Sequence, residues 1–283
     1  MKVENKDGKG NPYHNDANGQ FTTALGGGGA SNSFAEFDWG NTDAVLMPHL
    51  ENIIDDLTKK FPTQMSEIGM KLKYHDDDLP PSAIAGVVFN PFKRNRETKK
   101  YETTFSLSLS WVFYNKESVL EEINYLYEKR HSPMALLSDN EKIQAVITHE
   151  YGHIIAKMFM LKTNPDLLNR IKSMQQEPSS VFSWEIADEL LKQNRECPLE
   201  TSILNELGKE YGLDGSDLND RIANEYGTYA SGLPDRIYDN FDEREFFAEA
   251  FACMIHLEDD KKTDFMRSFE DIFKRKYGEV FGG

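Results

Sequence analysis

Only two cysteines, Cys197 and Cys253, occur in 283 residues. That is too few for a disulfide framework, so the fold must rest on its own core, and the chain is at ease in a reducing compartment. No run of eighteen apolar residues appears anywhere, which excludes a spanning helix of ordinary length. The opening Met1-Lys2-Val3-Glu4-Asn5-Lys6-Asp7 lacks the apolar stretch of a secretory signal, so the expectation is synthesis in the cytoplasm. Positive charge is also scarce, with 32 Lys and Arg against 48 Asp and Glu, a net charge of −16. So acidic a chain is a poor non-specific binder of nucleic acid and a poor fit to anionic membranes. Histidine is scarce too, seven in all, and this makes the close pairing of two of them informative.

Those two lie in His149-Glu150-Tyr151-Gly152-His153. On a helix, residues four apart stand one above the other, so both imidazoles can reach one metal ion. Glu150 falls on the flank of that face, where its carboxylate can act as general base on a water activated by the metal. The context is helical: Ile143, Ile147, Ile154 and Met158 form an apolar stripe, and Ser138 with Glu141 reads as a capping box that starts the helix. With so few histidines, an accidental H-E-x-x-H is expected in roughly a few per cent of such chains at most. A catalytic zinc site needs a third protein ligand as well as an open position.

Residues 1 to 40 are rich in Gly, Asn, Asp and Lys, with no helical or strand period, and read as a disordered or extended arm. Residues 41 to 283 read as one metallopeptidase-like domain, with a sheet lobe over about 41–140 and a helical lobe over about 141–283. An amphipathic helix is expected over Thr42 to Phe61, with Pro48 marking its true start. Strands are expected at Met70–Tyr74, at Ala83–Phe89 and, most clearly, at Thr103–Tyr114. In the last of these, Phe105, Leu107, Leu109, Trp111 and Phe113 alternate with serines, giving one core face and one polar face. That polar-faced strand is expected to line the cleft and to pair with an extended peptide. Asp76-Asp77-Asp78 beside His75 lacks ligand spacing and reads as a solvated turn. A helix over Glu117–Lys129 precedes the metal helix, and four more follow it near Pro165–Met174, Ser183–Gln193, Leu199–Tyr211 and Ser216–Glu225. Trp184, Ile186 and Leu190 are expected in the core there. The order predicts an α+β fold, a small mostly antiparallel sheet and a helical lobe with the metal cleft between them.

Further on, Glu245 and Glu249 are four residues apart on a helix otherwise made of Phe and Ala. Two acids on so apolar a helix need a cation or hydrogen-bond partners, since desolvating a lone carboxylate costs several kcal/mol. Glu245 then becomes the third ligand, and Glu249 accepts a proton from a ligating histidine and fixes its tautomer.

Taken together, His149-Glu150-Tyr151-Gly152-His153, Asn224-Glu225-Tyr226-Gly227 and Glu245-Phe246-Phe247-Ala248-Glu249-Ala250-Phe251 resemble the catalytic domain of the anthrax lethal factor family of zinc metalloproteases. The resemblance implies a zincin fold, a protein or peptide substrate, zinc held by His149, His153 and Glu245, and Glu150 as base. It also implies a tyrosine that stabilises the oxyanion, and Tyr226 matches best by its Tyr-Gly context. The chain departs from the family in the length of Thr228 to Asp242, which leaves Tyr229 and Tyr238 within reach of the same role. In the arm, Asn11 to Ala24 resembles a short cassette on proteins encoded near phage head genes and on phage-borne effectors. That implies capsid association or delivery to a host cell; the alternative is a tail with no function of its own. The rival to an enzyme is a phage structural protein in which zinc only braces the fold.

Overall fold

The computed structural model of the chain describes residues 40–63, 70–75, 79, 83–94, 101–176, 180–228 and 242–282, together with three two-residue strands nearer the N-terminus. Those strands are β1 (His14–Asn15) and β2 (Gln20–Phe21), which pair antiparallel, and β3 (Ala35–Glu36). The remainder of the arm, including most of the phage-like cassette, lies outside the described residues, as do Asp76 to Asp78, Tyr229 and Tyr238.

Helix α1 (Met47–Lys60) begins where Pro48 sits in its first turn, and Leu50, Ile53, Ile54 and Leu57 form its buried side. Three longer strands follow, β4 (Met70–His75), β5 (Ala85–Arg94) and β6 (Tyr101–Leu109). They join β3 in one sheet of order β3-β4-β6-β5. β5 and β6 pair antiparallel, but β3 with β4 and β4 with β6 pair in parallel. The expectation of a mostly antiparallel sheet is therefore corrected: β6 inserts between β4 and β5, so these two consecutive strands are not neighbours in the sheet. β6 has a strand along each edge and buries residues on both faces. Phe105, Leu107 and Leu109 are buried on one, while Thr104 and Ser108 are buried on the other. It also stops short of Tyr114. Trp111 to Tyr114 turn into a single 3-10 turn that buries Phe113 and leaves Trp111 65% exposed, contrary to the expected core position.

Helix α2 (Lys116–Lys129) is capped by Asn115, whose side chain accepts the Ser118 N–H at 3.0 Å. Helix α3 (Asp139–Thr163) starts at the predicted capping box. There the Glu141 carboxylate accepts both the backbone N–H of Ser138, at 2.9 Å, and its hydroxyl, at 2.5 Å. Helices α4 (Pro165–Gln176), α5 (Ser180–Glu196), α6 (Pro198–Tyr211) and α7 (Gly215–Tyr226) follow close to the expected ranges. Ile186 is fully buried, and Leu190 packs partly buried against the core. Helix α8 (Glu243–His256) carries the two glutamates, and α9 (Asp264–Phe281) closes the fold. The chain is thus mostly helical with one small main sheet, an α+β arrangement. No helix among the described residues is long and apolar enough to cross a membrane.

One hydrophobic cluster runs from Leu46 to Phe281. Its densest part is aromatic: Phe246, Phe247 and Phe251 of α8 meet Phe265, Phe269 and Phe273 of α9, all fully buried. Each such ring is worth about 2 kcal/mol in removal from water. Phe61, just after α1, stacks edge-on against Phe251, Phe273 and Tyr277 at centroid separations of 5.3, 5.7 and 5.5 Å. This aromatic wedge fixes α8 against α3, and the position of α8 decides the chemistry.

Candidate metal centre

The two metal-helix histidines lie on α3, with ring centroids 5.0 Å apart. Across from them Glu245 sits in the first turn of α8, where the helix N-terminus favours a negative charge and Asp242 caps the backbone by accepting the Arg244 N–H at 3.0 Å. Glu245 Oε2 is 3.3 Å from His149 Nε2, and its Oε1 is 3.8 Å from His153 Nε2. One ligand atom from each of His149, His153 and Glu245 falls within 4.8 Å of the other two. The expected ligand set is therefore brought together as a cluster close enough to hold a metal ion.

Close approach of α3 and α8 is what allows this. Gly152 lies between the two histidines on the side of α3 that faces α8. A Cβ there would stand 3.1 Å from the Ala248 Cα. Glycine and alanine at these two positions let the backbones near each other, and the glutamates reach the histidines as a result. Gly152 was not singled out from the sequence, although a glycine inside an otherwise strong helix pattern is the signal for such an approach.

Glu249 sits one turn beyond Glu245 and is only 3% exposed. Its two oxygens are both occupied. Oε2 accepts from His149 Nδ1 at 3.2 Å, and Oε1 accepts from the Ser132 hydroxyl at 2.9 Å. With Nδ1–H committed to Glu249, Nε2 is the nitrogen of His149 that faces Glu245.

Electrostatics follow from burial. His149 is pushed down by desolvation, but hydrogen bonds to Glu245 and Glu249 outweigh this and raise it to about 10. His153 has weaker compensation from Glu245, and burial holds it down at about 4. Glu150, 7% exposed, is pushed up to about 7, chiefly by burial. The charge on His149 and a hydrogen bond from the Val87 backbone pull it back, while Glu245 adds to the rise. A carboxylate poised there is suited to taking and returning a proton near neutrality.

His149, Glu150, His153 and Glu245 all line one cavity of about 740 Å³. Its opposite wall is chiefly β5, from Ala85 to Phe89 with Pro91, while β6 contributes Phe105 alone. The expected cleft strand is thereby corrected: β6 has neighbours on both sides, whereas β5 ends the sheet. At the far end Lys157, Cys197, Glu200 and Arg244 make a polar wall. A smaller recess of about 100 Å³ opens beside His149 and Glu150, lined by Ile84, Ile123, Leu126 and Val146 and also by Arg130, Ser132 and Glu249.

Tyr226 is not brought to this site. Its ring is fully buried, packed against Phe246, Phe265 and Phe269 with centroids 5.7, 6.3 and 6.3 Å away. Among the described residues its hydroxyl has no hydrogen-bond partner, and burial raises its pKa well above the usual tyrosine value. The expectation that Tyr226 donates to an oxyanion is corrected for that reason: a hydroxyl sealed among phenylalanines cannot reach a substrate in the cavity.

Compared with protein-family models, curated proteins and solved structures, the chain matches none. The functional reading rests on the residues themselves.

Proposed function

We propose that the chain is a zinc-dependent endopeptidase with a zincin fold, similar to the lethal factor family. One observation carries the reading: a buried carboxylate, Glu150, lines the same cavity as three converging ligand atoms without being one of them. A metal that only braces a fold needs no such group and usually closes its fourth position with protein.

Two imidazole nitrogens and one carboxylate oxygen suit zinc among the common divalent ions, and the buried Glu249 behind His149 supplies the usual outer partner. His149, His153 and Glu245 would hold the ion. When bound, zinc supplies Lewis acidity that acidifies water and polarises a peptide carbonyl. The remaining work falls to the chain. Glu150 takes the proton of the attacking water and passes it to the leaving amine, so both halves of the reaction depend on one carboxyl group. The hydrogen bond from the Val87 backbone aims that carboxylate along the edge of β5. Because Val87 turns its N–H toward Glu150, alternate backbone groups of β5 face the cavity, and an extended peptide can pair with them as an added strand.

The experiment is zinc analysis of the purified chain together with cleavage of a peptide library by the parent and by Glu150→Gln. The expected result is one zinc per chain in both proteins, with cleavage by the parent alone and a loss of several orders of magnitude in the variant. Zinc without cleavage in the parent would favour a structural metal in a phage component, and absence of zinc would end the reading.

A further inference from the structure

The short segment joining α2 to α3 carries a side chain that no motif points to. Helix α2 ends in a Schellman-type turn: His131 N–H donates to the Glu128 carbonyl at 3.2 Å, and Ser132 N–H to the Tyr127 carbonyl at 2.9 Å. That turn needs a left-handed residue, and His131 adopts it at φ 55° without being glycine. Ser132 emerges 5% exposed and opens the 3-10 turn Pro133–Leu136, where its Oγ accepts the Met134 N–H at 3.3 Å. With that acceptance made, the hydroxyl hydrogen is aimed at Glu249 Oε1, 2.9 Å away. Glu249 in turn holds His149 Nδ1.

The same segment is clamped from the other side by the Tyr-Gly motif. Gly227 has φ +90°, and a Cβ there would stand 2.6 Å from the Arg130 carbonyl oxygen and 3.0 Å from Ser132 Cα. Thr228 N–H donates to that same Arg130 carbonyl at 2.8 Å. The buried Tyr226 ring anchors this strut in the aromatic core.

We propose that Ser132 is a positioning residue of the metal centre, acting through Glu249 on His149, and that the Tyr226-Gly227-Thr228 turn exists to hold it there. The inference rests on the metal-site reading above. Ser132 fixes one oxygen of Glu249, so the other has a single place to meet Nδ1–H, and the His149 ring presents Nε2 toward Glu245 and His153. Without the hydroxyl, the carboxylate can rotate in its pocket and the imidazole loses its fixed aim. The Tyr-Gly motif then serves the metal from behind the protein's core, with no direct part in the reaction.

The test is Zn²⁺ affinity of the full-length chain, measured by competition with a chromophoric chelator. Ser132→Ala should bind zinc ten- to a hundredfold more weakly, the usual cost of losing an outer partner. Ser132→Cys keeps nearly the volume but donates weakly, and should lie between the two. In a Glu249→Gln background the Ser132→Ala effect should shrink to less than threefold, because the route through Glu249 is already broken. A purely structural Ser132 would lower melting temperature while leaving zinc affinity alone. Parent-like affinity in both Ser132 variants, or an equal loss in both backgrounds, overturns the proposal. A parent that binds no zinc removes the metal centre itself, a failure distinct from either of these.

Discussion

Gly152 and Ala248 meet where α3 crosses α8, at a separation that leaves a methyl group on Gly152 only 3.1 Å from the neighbouring backbone. Helix propensity favours Gly152→Ala by about 1 kcal/mol, whereas the contact requires α8 to move by a few tenths of an ångström. Metal sites tolerate errors of only about 0.2 Å in ligand distance. Gly152→Ala should therefore melt near the parent temperature and yet bind zinc at least tenfold more weakly. Differential scanning calorimetry paired with zinc competition checks both halves, and unchanged zinc affinity would show that α8 does not depend on this contact.

The two glutamates of α8 differ in what they touch. Glu245 faces both histidines, while Glu249 reaches only the rear nitrogen of His149. Glu245→Ala should abolish stoichiometric zinc, and Glu249→Ala should reduce affinity by about ten- to a hundredfold. Equal losses in an elemental analysis would mean that their roles are assigned wrongly.

Protons compete with the metal for His149. In the metal-free chain its pKa of about 10 means that it is protonated at pH 8, whereas His153, at about 4, is already neutral there. Binding must displace the Nε2 proton of His149 and none from His153. Zinc affinity should thus rise about tenfold per pH unit between roughly pH 7 and 9, with one proton released per ion. Calorimetry in buffers of different ionisation enthalpy counts that proton; a count of zero would rule out a protonated His149 bridging Glu245 and Glu249.

Tyr226 buries its hydroxyl among phenylalanines with no partner among the described residues. Removing a buried polar group that makes no hydrogen bond relieves about 1–3 kcal/mol of desolvation. Tyr226→Phe should raise the melting temperature by a few degrees and leave peptide cleavage unchanged. A large fall in turnover with zinc retained would restore this tyrosine to the chemistry.

What the sequence made legible was local. The capping box at Ser138, the helical spacing of His149 and His153 and the paired acids of α8 each lie within a few turns of helix, where spacing alone fixes geometry. Sheet order was not legible, because the place of β6 between β4 and β5 is set by pairings across the sheet that leave no mark in any one strand. Ser108 looks like a polar surface residue in the alternation and is nonetheless buried. Tyr226 shows the limit of a motif: Tyr-Gly places a tyrosine near a turn but does not say which way the ring points. Ser132 gave no signal, since a serine before a proline is common at any turn.

Phe61 joins segments that are far apart in the order of synthesis. Its carbonyl accepts the Tyr151 hydroxyl at 3.0 Å, and the neighbouring Pro62 carbonyl accepts the Tyr277 hydroxyl at 2.9 Å. One knot thus ties the middle of the H-E-x-x-H sequence to α9. As the chain leaves the ribosome, α3 emerges long before α9 does, and until then the rings of α8 have Phe61 and Tyr226 beside them but lack Phe265, Phe269 and Phe273. The aromatic backing that holds Glu245 opposite His149 and His153 is therefore whole only once α9 has docked.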